Sequence, residues 1–177
     1  MTSLDSRIKN TIRDVKDYPK PGIIFKDLTP ILKDTQLCKD IIGEFVSQLS
    51  HMKPDALCCL DARGFWFGLS ISLELGIPMV PVRKKGKLPY ETICQQYELE
   101  YGTSEIEIHT DAFEKGMRVV IHDDLLATGG TASAAAELVR KSGAEVVGYA
   151  FMVELCFLMG AERVKHHSDR VLSLCRY

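Results

Sequence analysis

The stretch from Val119 to Lys141 constrains the fold of this chain more than any other. It opens with a short apolar run rich in β-branched residues, which is typical of a buried strand. Two adjacent acids follow, Asp123 and Asp124, then a turn of small residues, and then an alanine-rich run from Ala132 that predicts a helix. A glycine turn between a strand and a helix is common in α/β proteins, so the stretch indicates that class.

The turn has the properties of an anion-binding loop. Its two glycines let the backbone come close to an anion, and the helix start behind it favours negative charge. The carboxylates before it suit sugar hydroxyls or a hydrated metal ion, and two neighbouring like charges are costly without such partners. The turn alone is as consistent with a purely structural role. A Walker-type loop is excluded because no Gly-Lys-Ser/Thr follows the turn residues, which are Ala127, Thr128, Gly129, Gly130 and Thr131.

An earlier strand–helix–strand pattern predicts a parallel sheet. Residues 56–60 indicate a buried strand, a helix runs from about residue 65 to Leu75, and residues 79–82 indicate another strand. This spacing favours a right-handed βαβ unit. The turn at 61–65 follows the first strand, at the edge where open α/β sheets bind ligands. Arg63 in this turn either binds an anion or caps a neighbouring carbonyl.

Residues 83–87 contain four cations and follow a predicted strand immediately. Such a run is usually a solvated loop. This one is short, contains a glycine and ends near a proline, so it could fold over an anion.

Three further elements are expected from local patterns. Ser3–Asp17 is predicted to be an amphipathic helix. Residues 91–96 are expected to be mobile, and residues 97–109 to form an antiparallel hairpin because part of this run alternates apolar and polar side chains.

The bulk composition excludes several classes of function. A net charge of -2 over 177 residues provides no global basic field for nucleic acid. No apolar run reaches the roughly 18 residues of a membrane span, and the N-terminus is too polar for a signal peptide. The six cysteines show no zinc spacing. We therefore expect a cytoplasmic protein that binds neither nucleic acid nor membranes.

Five motifs resemble those of the type I phosphoribosyltransferase family, in its adenine-using branch. They are the segment around Phe25, Ala-Arg-Gly-Phe at 62–65, Arg-Lys-x-Gly-Lys-Leu-Pro at 83–89, Leu-Glu-Tyr-Gly at 99–102, and the acidic loop that ends at Thr131. The resemblance covers nearly the whole chain. It implies an α/β fold in one domain, residues 1–177, with a twisted, mostly parallel central sheet flanked by helices, a small N-terminal hood at about 18–34 and a flexible catalytic-loop hairpin at about 83–103.

The resemblance also implies a role for each candidate residue. Contacts with ribose and its 5-phosphate fall on Asp123, Asp124 and the five turn residues. Contacts with pyrophosphate fall on Asp61, Ala62, Arg63, Arg83, Lys84 and Lys87, with a cis peptide before Ala62. The adenine contacts are Ile24, Phe25, Lys26, Glu154 and Leu155. The catalytic set is Glu100, which moves the purine proton, Tyr101, which helps to close the loop, and Arg63.

The implied reaction joins adenine to 5-phosphoribosyl-1-diphosphate and gives AMP and pyrophosphate, in a homodimer. Mg²⁺ would be held mainly by substrate and water, with no fixed protein ligand. The family usually has arginine where this chain has Lys26, and lysine cannot reproduce the planar fork of arginine, although a backbone contact would persist.

Three alternatives stay open at this point. A phosphoribosyltransferase for hypoxanthine, guanine or xanthine is one, because Lys26 could donate to a 6-oxo group. A regulator that senses phosphoribosyl diphosphate without catalysis is another, although it would need a DNA-binding domain or a basic face. The third is a nucleotide-binding structural subunit, which the catalytic motif at 99–102 disfavours.

Overall fold

A computed structural model describes residues 2–98 and 102–177, so the predicted catalytic residues Glu100 and Tyr101 lie outside the described residues. The described helices are α1 (Leu4–Thr11), α2 (Thr35–Ser50), α3 (Phe65–Leu75), α4 (Gly130–Lys141) and α5 (Gly160–Val164). The strands are β1 (Arg13–Lys16), β2 (Ile24–Asp27), β3 (Ala56–Leu60), β4 (Met79–Lys84), β5 (Thr92–Glu98), β6 (Thr103–His109), β7 (Arg118–Leu126), β8 (Glu145–Glu154) and β9 (Val171–Arg176). Two short 3₁₀ helices span Thr29–Lys33 and Cys156–Leu158.

The central sheet has the strand order β5-β6-β4-β3-β7-β8-β9. Its five strands from β4 to β9 run parallel, while β6 pairs antiparallel with both β4 and β5. All five residues of β3 are buried, as expected for a strand covered on both faces by helices. The predicted α/β class and mostly parallel sheet are confirmed.

Two apolar layers cover the two faces of this sheet. On one face the alanine-rich side of α4 packs on alternate residues of β3 and β7, such as Cys58 and Ile121. On the other face α1, α2 and α3 pack on the residues between them, such as Cys59 and Val120. No helix in the described part of the chain is long and apolar enough to cross a bilayer.

The predicted helix Ser3–Asp17 is wrong in its second half. The hydroxyl of Ser3 caps the start of the helix by accepting a hydrogen bond from the backbone N–H of Ser6 at 3.2 Å. The helix ends at Thr11. Residues 13–16 form β1 instead, because they pair antiparallel with β2. β2 lies within the predicted hood at about 18–34, and pairing with it overrides the local helical pattern of residues 13–16.

The stretch at 91–96, which was expected to be mobile, is mostly a strand. β5 pairs with β6 along its whole length, from Thr92 opposite His109 to Glu98 opposite Thr103. The predicted antiparallel hairpin is present, and its first strand begins five residues earlier than expected because the ladder with β6 continues that far.

Candidate active site

The candidate residues converge because β3, β4 and β7 are parallel neighbours and end at the same edge of the sheet. The turn at 61–64 follows β3, the cationic loop at 83–88 begins at the end of β4, and the small-residue turn at 127–131 follows β7. Ligands of open α/β sheets bind at this edge. The edge therefore brings both predicted anion-binding loops to one place.

The small-residue turn surrounds a cavity of about 90 Å³. Gly129 has the left-handed φ of 75° and caps α4, which begins at Gly130. The N–H groups at the start of α4 have no partner inside the helix, which suits them to an anion. The cavity is lined by all five predicted turn residues, Ala127, Thr128, Gly129, Gly130 and Thr131, together with Asp123.

The start of α5 packs closely against the small-residue turn. A Cβ built on Gly160 would lie 2.1 Å from the backbone oxygen of Ala127, and one built on Gly129 would lie 2.7 Å from the backbone oxygen of Gly160. Only glycine fits at both positions. Gly160 thus fixes the shape of the small-residue turn, the predicted phosphate turn, although it lies about thirty residues from it in the chain.

The two acids occupy the last part of β7 and face different surroundings. Asp123 lines the cavity of the small-residue turn. Asp124 is buried and lies opposite Arg63, with 2.9 Å between Asp124 Oδ2 and Arg63 Nε. Burial raises the pKa of Asp124, and the positive charge of Arg63 partly offsets that effect. Burial, followed by the charge of Asp124, raises the pKa of Asp123 well above its ordinary value.

A buried acceptor at this pair suits a hydroxyl donor. Asp124 Oδ2 accepts no hydrogen bond of good geometry from any residue that the structure describes, although the charge of Arg63 is close. Buried polar atoms are normally hydrogen-bonded, so an orphaned oxygen at a sheet edge marks a place for a ligand donor. The backbone N–H of Asp124 donates to Asp123 Oδ1 at 2.9 Å, which fixes the first carboxylate against the strand.

Arg63 follows the predicted cis peptide between Asp61 and Ala62, which is present. The turn needs glycine next to it, because a Cβ on Gly64 would lie 2.7 Å from the backbone oxygen of Leu60. The guanidinium of Arg63 is half-buried between the acid pair and the hood. The side chain of Arg63 thus pairs with Asp124, a contact that neither alternative included, and its role as an anion ligand stays a prediction.

The cationic loop is tied to the turn after β3. Arg83 Nε donates to Asp61 Oδ2 at 3.3 Å, and Arg83 Nη1 donates to the backbone oxygen of Lys87 at 3.2 Å. Lys84 and Lys87 are exposed. The predicted pyrophosphate residues Asp61, Arg83, Lys84 and Lys87 therefore lie together at the end of β4.

The hood places Phe25 towards the site. The ring of Phe25 lies 5.7 Å from the guanidinium carbon of Arg63 and makes an edge contact with Tyr18 at 5.2 Å. Side chains alternate along a strand, so Ile24 and Lys26 point to the other face of β2. Within the described residues β2 pairs only with β1, which leaves one backbone edge of β2 available for hydrogen bonds.

Lys26 is engaged away from the acid pair. Its Nζ lies 2.7 Å from Asp14 Oδ1 and 4.0 Å from the ring centre of Tyr177. Together with Ile24 and Leu155 it lines a cavity of about 570 Å³ that also includes the Tyr177 ring. The side chain of Lys26 thus fastens the hood to the residue after β9.

Glu154 and His122 have protein partners of their own. Glu154 is buried, and its Oε2 accepts a hydrogen bond from Arg176 Nε at 3.1 Å. His122 is buried in β7, with Nδ1 2.9 Å from the backbone oxygen of Ala150. His122 is therefore a hydrogen-bonded core residue, and burial lowers its pKa to about 4.

The residues around the acid pair fit a metal that brings its own ligands. Among residues 2–98 and 102–177 no group of three His, Cys, Asp or Glu side chains could enclose a metal ion. Mg²⁺ commonly binds through substrate phosphates and water, with one or two carboxylates. The acid pair with its orphaned Asp124 oxygen suits that arrangement.

Two contacts of the site were not found from the sequence. Thr131 Oγ1 donates to the hydroxyl of Tyr97 at 3.1 Å, so the hairpin reaches the phosphate turn. Gly160 contacts the same turn from α5. Both partners are more than twenty residues away, and a glycine at a helix start was the only local signal for either.

Comparison with known proteins agrees with this geometry. The phosphoribosyl transferase domain family matches residues 29–173, and the chain belongs to that family. Within it the similarity is to adenine phosphoribosyltransferases. That of Cytophaga hutchinsonii is 58% identical over 98% of this chain and 96% of its own.

Solved structures show the same relationship. The adenine phosphoribosyltransferase of Thermoanaerobacter pseudethanolicus has a TM-score of 0.94 and 46% identity, covering 99% of this chain and all of its own. That of Saccharomyces cerevisiae, complexed with an imino-altritol bisphosphate and adenine, has a TM-score of 0.91 and 38% identity, covering 97% of this chain and 98% of its own.

Proposed function

We propose that this chain is an adenine phosphoribosyltransferase of purine salvage, which transfers 5-phosphoribosyl from 5-phosphoribosyl-1-diphosphate to adenine and releases pyrophosphate. One observation carries the proposal. A phosphate turn, a buried acid pair and a cationic loop meet at one edge of the sheet, in a chain 58% identical to a named adenine phosphoribosyltransferase.

The phosphate turn and the acid pair would hold the phosphoribosyl group. The 5-phosphate would lie on the free N–H groups of residues 128–131, with the hydroxyls of Thr128 and Thr131 as added donors. Asp123 and Asp124 would accept hydrogen bonds from the 2- and 3-hydroxyls. Carboxylates beside the ring stabilise the positive charge that develops at C1 in the transition state.

The cations would hold the leaving group. As the bond between C1 and the diphosphate oxygen breaks, negative charge grows on pyrophosphate, and Arg63, Arg83 and Lys87 would offset it. Lys84 adds a further exposed charge beside them. Asp61 would hold Arg83 in place, and Ala62 would offer its backbone at the same turn.

The hood would bind adenine. Phe25, whose ring lies beside Arg63, would stack on the base, and the backbone edge of β2 that does not pair with β1 would offer donors and acceptors to it. Ile24, Lys26 and Leu155 border the adjoining cavity, and Glu154 ends β8 immediately before Leu155. The Asp14 contact of Lys26 argues against the 6-oxopurine alternative, since that amine is already paired.

Glu100 and Tyr101 would complete the site from the hairpin. We propose that Glu100 accepts the proton of adenine as the base nitrogen attacks C1, and that Tyr101 helps to close the loop. Mg²⁺, held mainly by the diphosphate and water with Asp123 and Asp124 beside it, supplies Lewis-acid stabilisation of the leaving group when bound.

The setting of the enzyme is also a proposal. All six cysteines are free thiols, which suits a reducing cytoplasm, and a charge of -2 does not favour nucleic acid or an anionic membrane. The family implies a homodimer. Light scattering should give about twice the 19.8 kDa of one chain, and a monomeric mass would reject that assembly.

One assay tests the reaction. The protein is incubated with phosphoribosyl diphosphate and Mg²⁺, and adenine, hypoxanthine and guanine are offered separately. We expect AMP and pyrophosphate with adenine only. Product with hypoxanthine or guanine alone would favour the 6-oxopurine enzyme, and binding of the donor without product from any base would favour the sensor.

A further inference from the structure

The buried carboxylate of Glu107 takes no part in the chemistry above. Glu107 lies in β6 and is 3% exposed. β6 is the middle strand between β4 and β5, and Glu107 stands opposite Arg83 on one side and Cys94 on the other. A buried carboxylate is costly unless several donors satisfy it.

The donors come from the cationic loop. Glu107 Oε1 accepts the backbone N–H groups of Lys87 and Leu88, each at 2.9 Å, and Oε2 accepts the hydroxyl of Thr92 at 3.2 Å. Burial raises the pKa of Glu107, but the N–H groups of Leu88, Gly86 and Lys87 outweigh it, and the pKa lies below its ordinary value. The group is therefore an anion enclosed by the loop.

This arrangement decides how the loop can bind a second anion. Consecutive N–H groups in a turn form a concave site that binds phosphate in many proteins. Here the N–H groups of residues 87 and 88 already point at Glu107. A diphosphate must then be bound by side chains of this loop, and their direction depends on the fold of the turn.

We propose that Glu107 is a positioning residue for the phosphoribosyl diphosphate donor: its carboxylate serves as an internal anion that folds the turn at 85–88 and aims Arg83 and Lys87 at the diphosphate. Arg83 is bound to the same turn through the backbone oxygen of Lys87, which couples the two cations. The inference rests on the proposed function, since it takes the diphosphate to lie on this loop.

The test is Glu107→Gln, which keeps the shape and turns an acceptor into a donor facing the loop. We expect the KM for phosphoribosyl diphosphate to rise about tenfold, while kcat and the KM for adenine stay within about twofold. Glu105→Gln is the matched control: it removes the same charge two positions along β6, where the partner is Lys85 at 2.8 Å, and should change the donor KM by less than about twofold.

Amide exchange provides a readout that a general loss of stability would not give. In Glu107→Gln the N–H groups of residues 87 and 88 should exchange faster while those of the central strands are unchanged. Thr92→Val removes one hydroxyl donor and keeps the carboxylate, and should raise the donor KM about threefold. If Glu107→Gln does not fold, the donor KM of Thr92→Val tests the role of Glu107 in its place.

Lys87→Met distinguishes a failure of the role proposed for Glu107 from a failure of the proposed diphosphate site. A raised donor KM in Lys87→Met with none in Glu107→Gln would reject the role of Glu107 and leave the diphosphate site standing. No rise in Lys87→Met would reject the diphosphate site on this loop, and the role of Glu107 with it. Equal rises of the donor KM in Glu105→Gln and Glu107→Gln would show that the loss of one negative charge causes the effect, and would also reject the role of Glu107.

Discussion

Replacing Gly160 by alanine should damage the phosphate turn from outside it. The new Cβ would lie 2.1 Å from the backbone oxygen of Ala127, whereas real Cβ atoms essentially never come closer than 3.0 Å. Both atoms of the clash belong to backbone-fixed groups, so no side-chain rotation relieves it. The turn or the start of α5 must therefore move by about 1 Å.

The size of the effect follows from that movement. A misplacement of about 1 Å in a substrate-positioning loop can cost about a hundredfold in rate, so kcat/KM for phosphoribosyl diphosphate should fall by about that factor. Forcing a group into a packed contact costs about 1–3 kcal/mol, and at about 2–4 °C per kcal/mol for a chain of this size this lowers Tm by roughly 2–12 °C. Steady-state kinetics and calorimetry measure the two quantities.

Gly43→Ala is the control for the chemistry of the change. Gly43 lies inside α2, and a Cβ built there meets nothing within 4 Å. Alanine at that position should stabilise the protein by about 0.5–1 kcal/mol and leave activity unchanged. If Gly160→Ala keeps the wild-type kcat/KM and Tm, the close packing of α5 on the turn does not shape the site and the reasoning is refuted.

Three further predictions address the catalytic base, the core and the hood. Glu100→Gln should lower turnover about 100- to 10,000-fold in a folded protein, and near-normal turnover would remove Glu100 from the catalytic role. His122 is neutral when folded, with a pKa of about 4 against 6.5 for the free side chain, so stability is complete above pH 6.5 and should fall by about 3 kcal/mol as the pH drops to 4; His122→Leu should flatten this dependence in denaturant titrations. Lys26→Met should raise the KM for adenine about three- to tenfold by releasing Tyr177 and Asp14, while Lys26→Arg should stay within about twofold; an unchanged KM in Lys26→Met would show that this contact does not hold the hood.

The parts of the fold that the sequence predicted are those fixed by local pattern. β3, α3, β4 and α4 each combine a period or apolar run with a clear end signal, and their order alone indicates a parallel sheet. The phosphate turn was found for the same reason, since strand, acids, glycines and helix are contiguous. Glu107 falls within the hairpin predicted at 97–109, but its buried contacts were not predicted because its partners lie about twenty residues away.

The misses share that physical cause. Residues 13–16 are extended because they pair with β2, and the strand at Thr92 is ordered because it pairs with β6. Neither partner can be seen from the residues themselves. Lys26 illustrates the point at a single side chain: the contacts of its amine with Asp14 and Tyr177 involve distant residues and could not be predicted from the local pattern.

Two acids of the site lie against arginines. Arg63 neutralises Asp124, and Arg83 neutralises Asp61, in contacts of 2.9 and 3.3 Å. A buried carboxylate with no cation would destabilise the edge of the sheet, so the Arg63 pair partly offsets the cost of burying Asp124. When the donor binds, its sugar hydroxyls would replace the arginines as partners of the carboxylates, and its diphosphate would replace the carboxylates as the partner of the arginines. Arg63 pairs with an acid of the proposed sugar site and is also a proposed ligand of the diphosphate, so the intact donor should bind more tightly than the affinities of its separate phosphoribosyl and pyrophosphate parts would suggest. Glu107 has no ligand to exchange with, and it holds the cationic loop throughout.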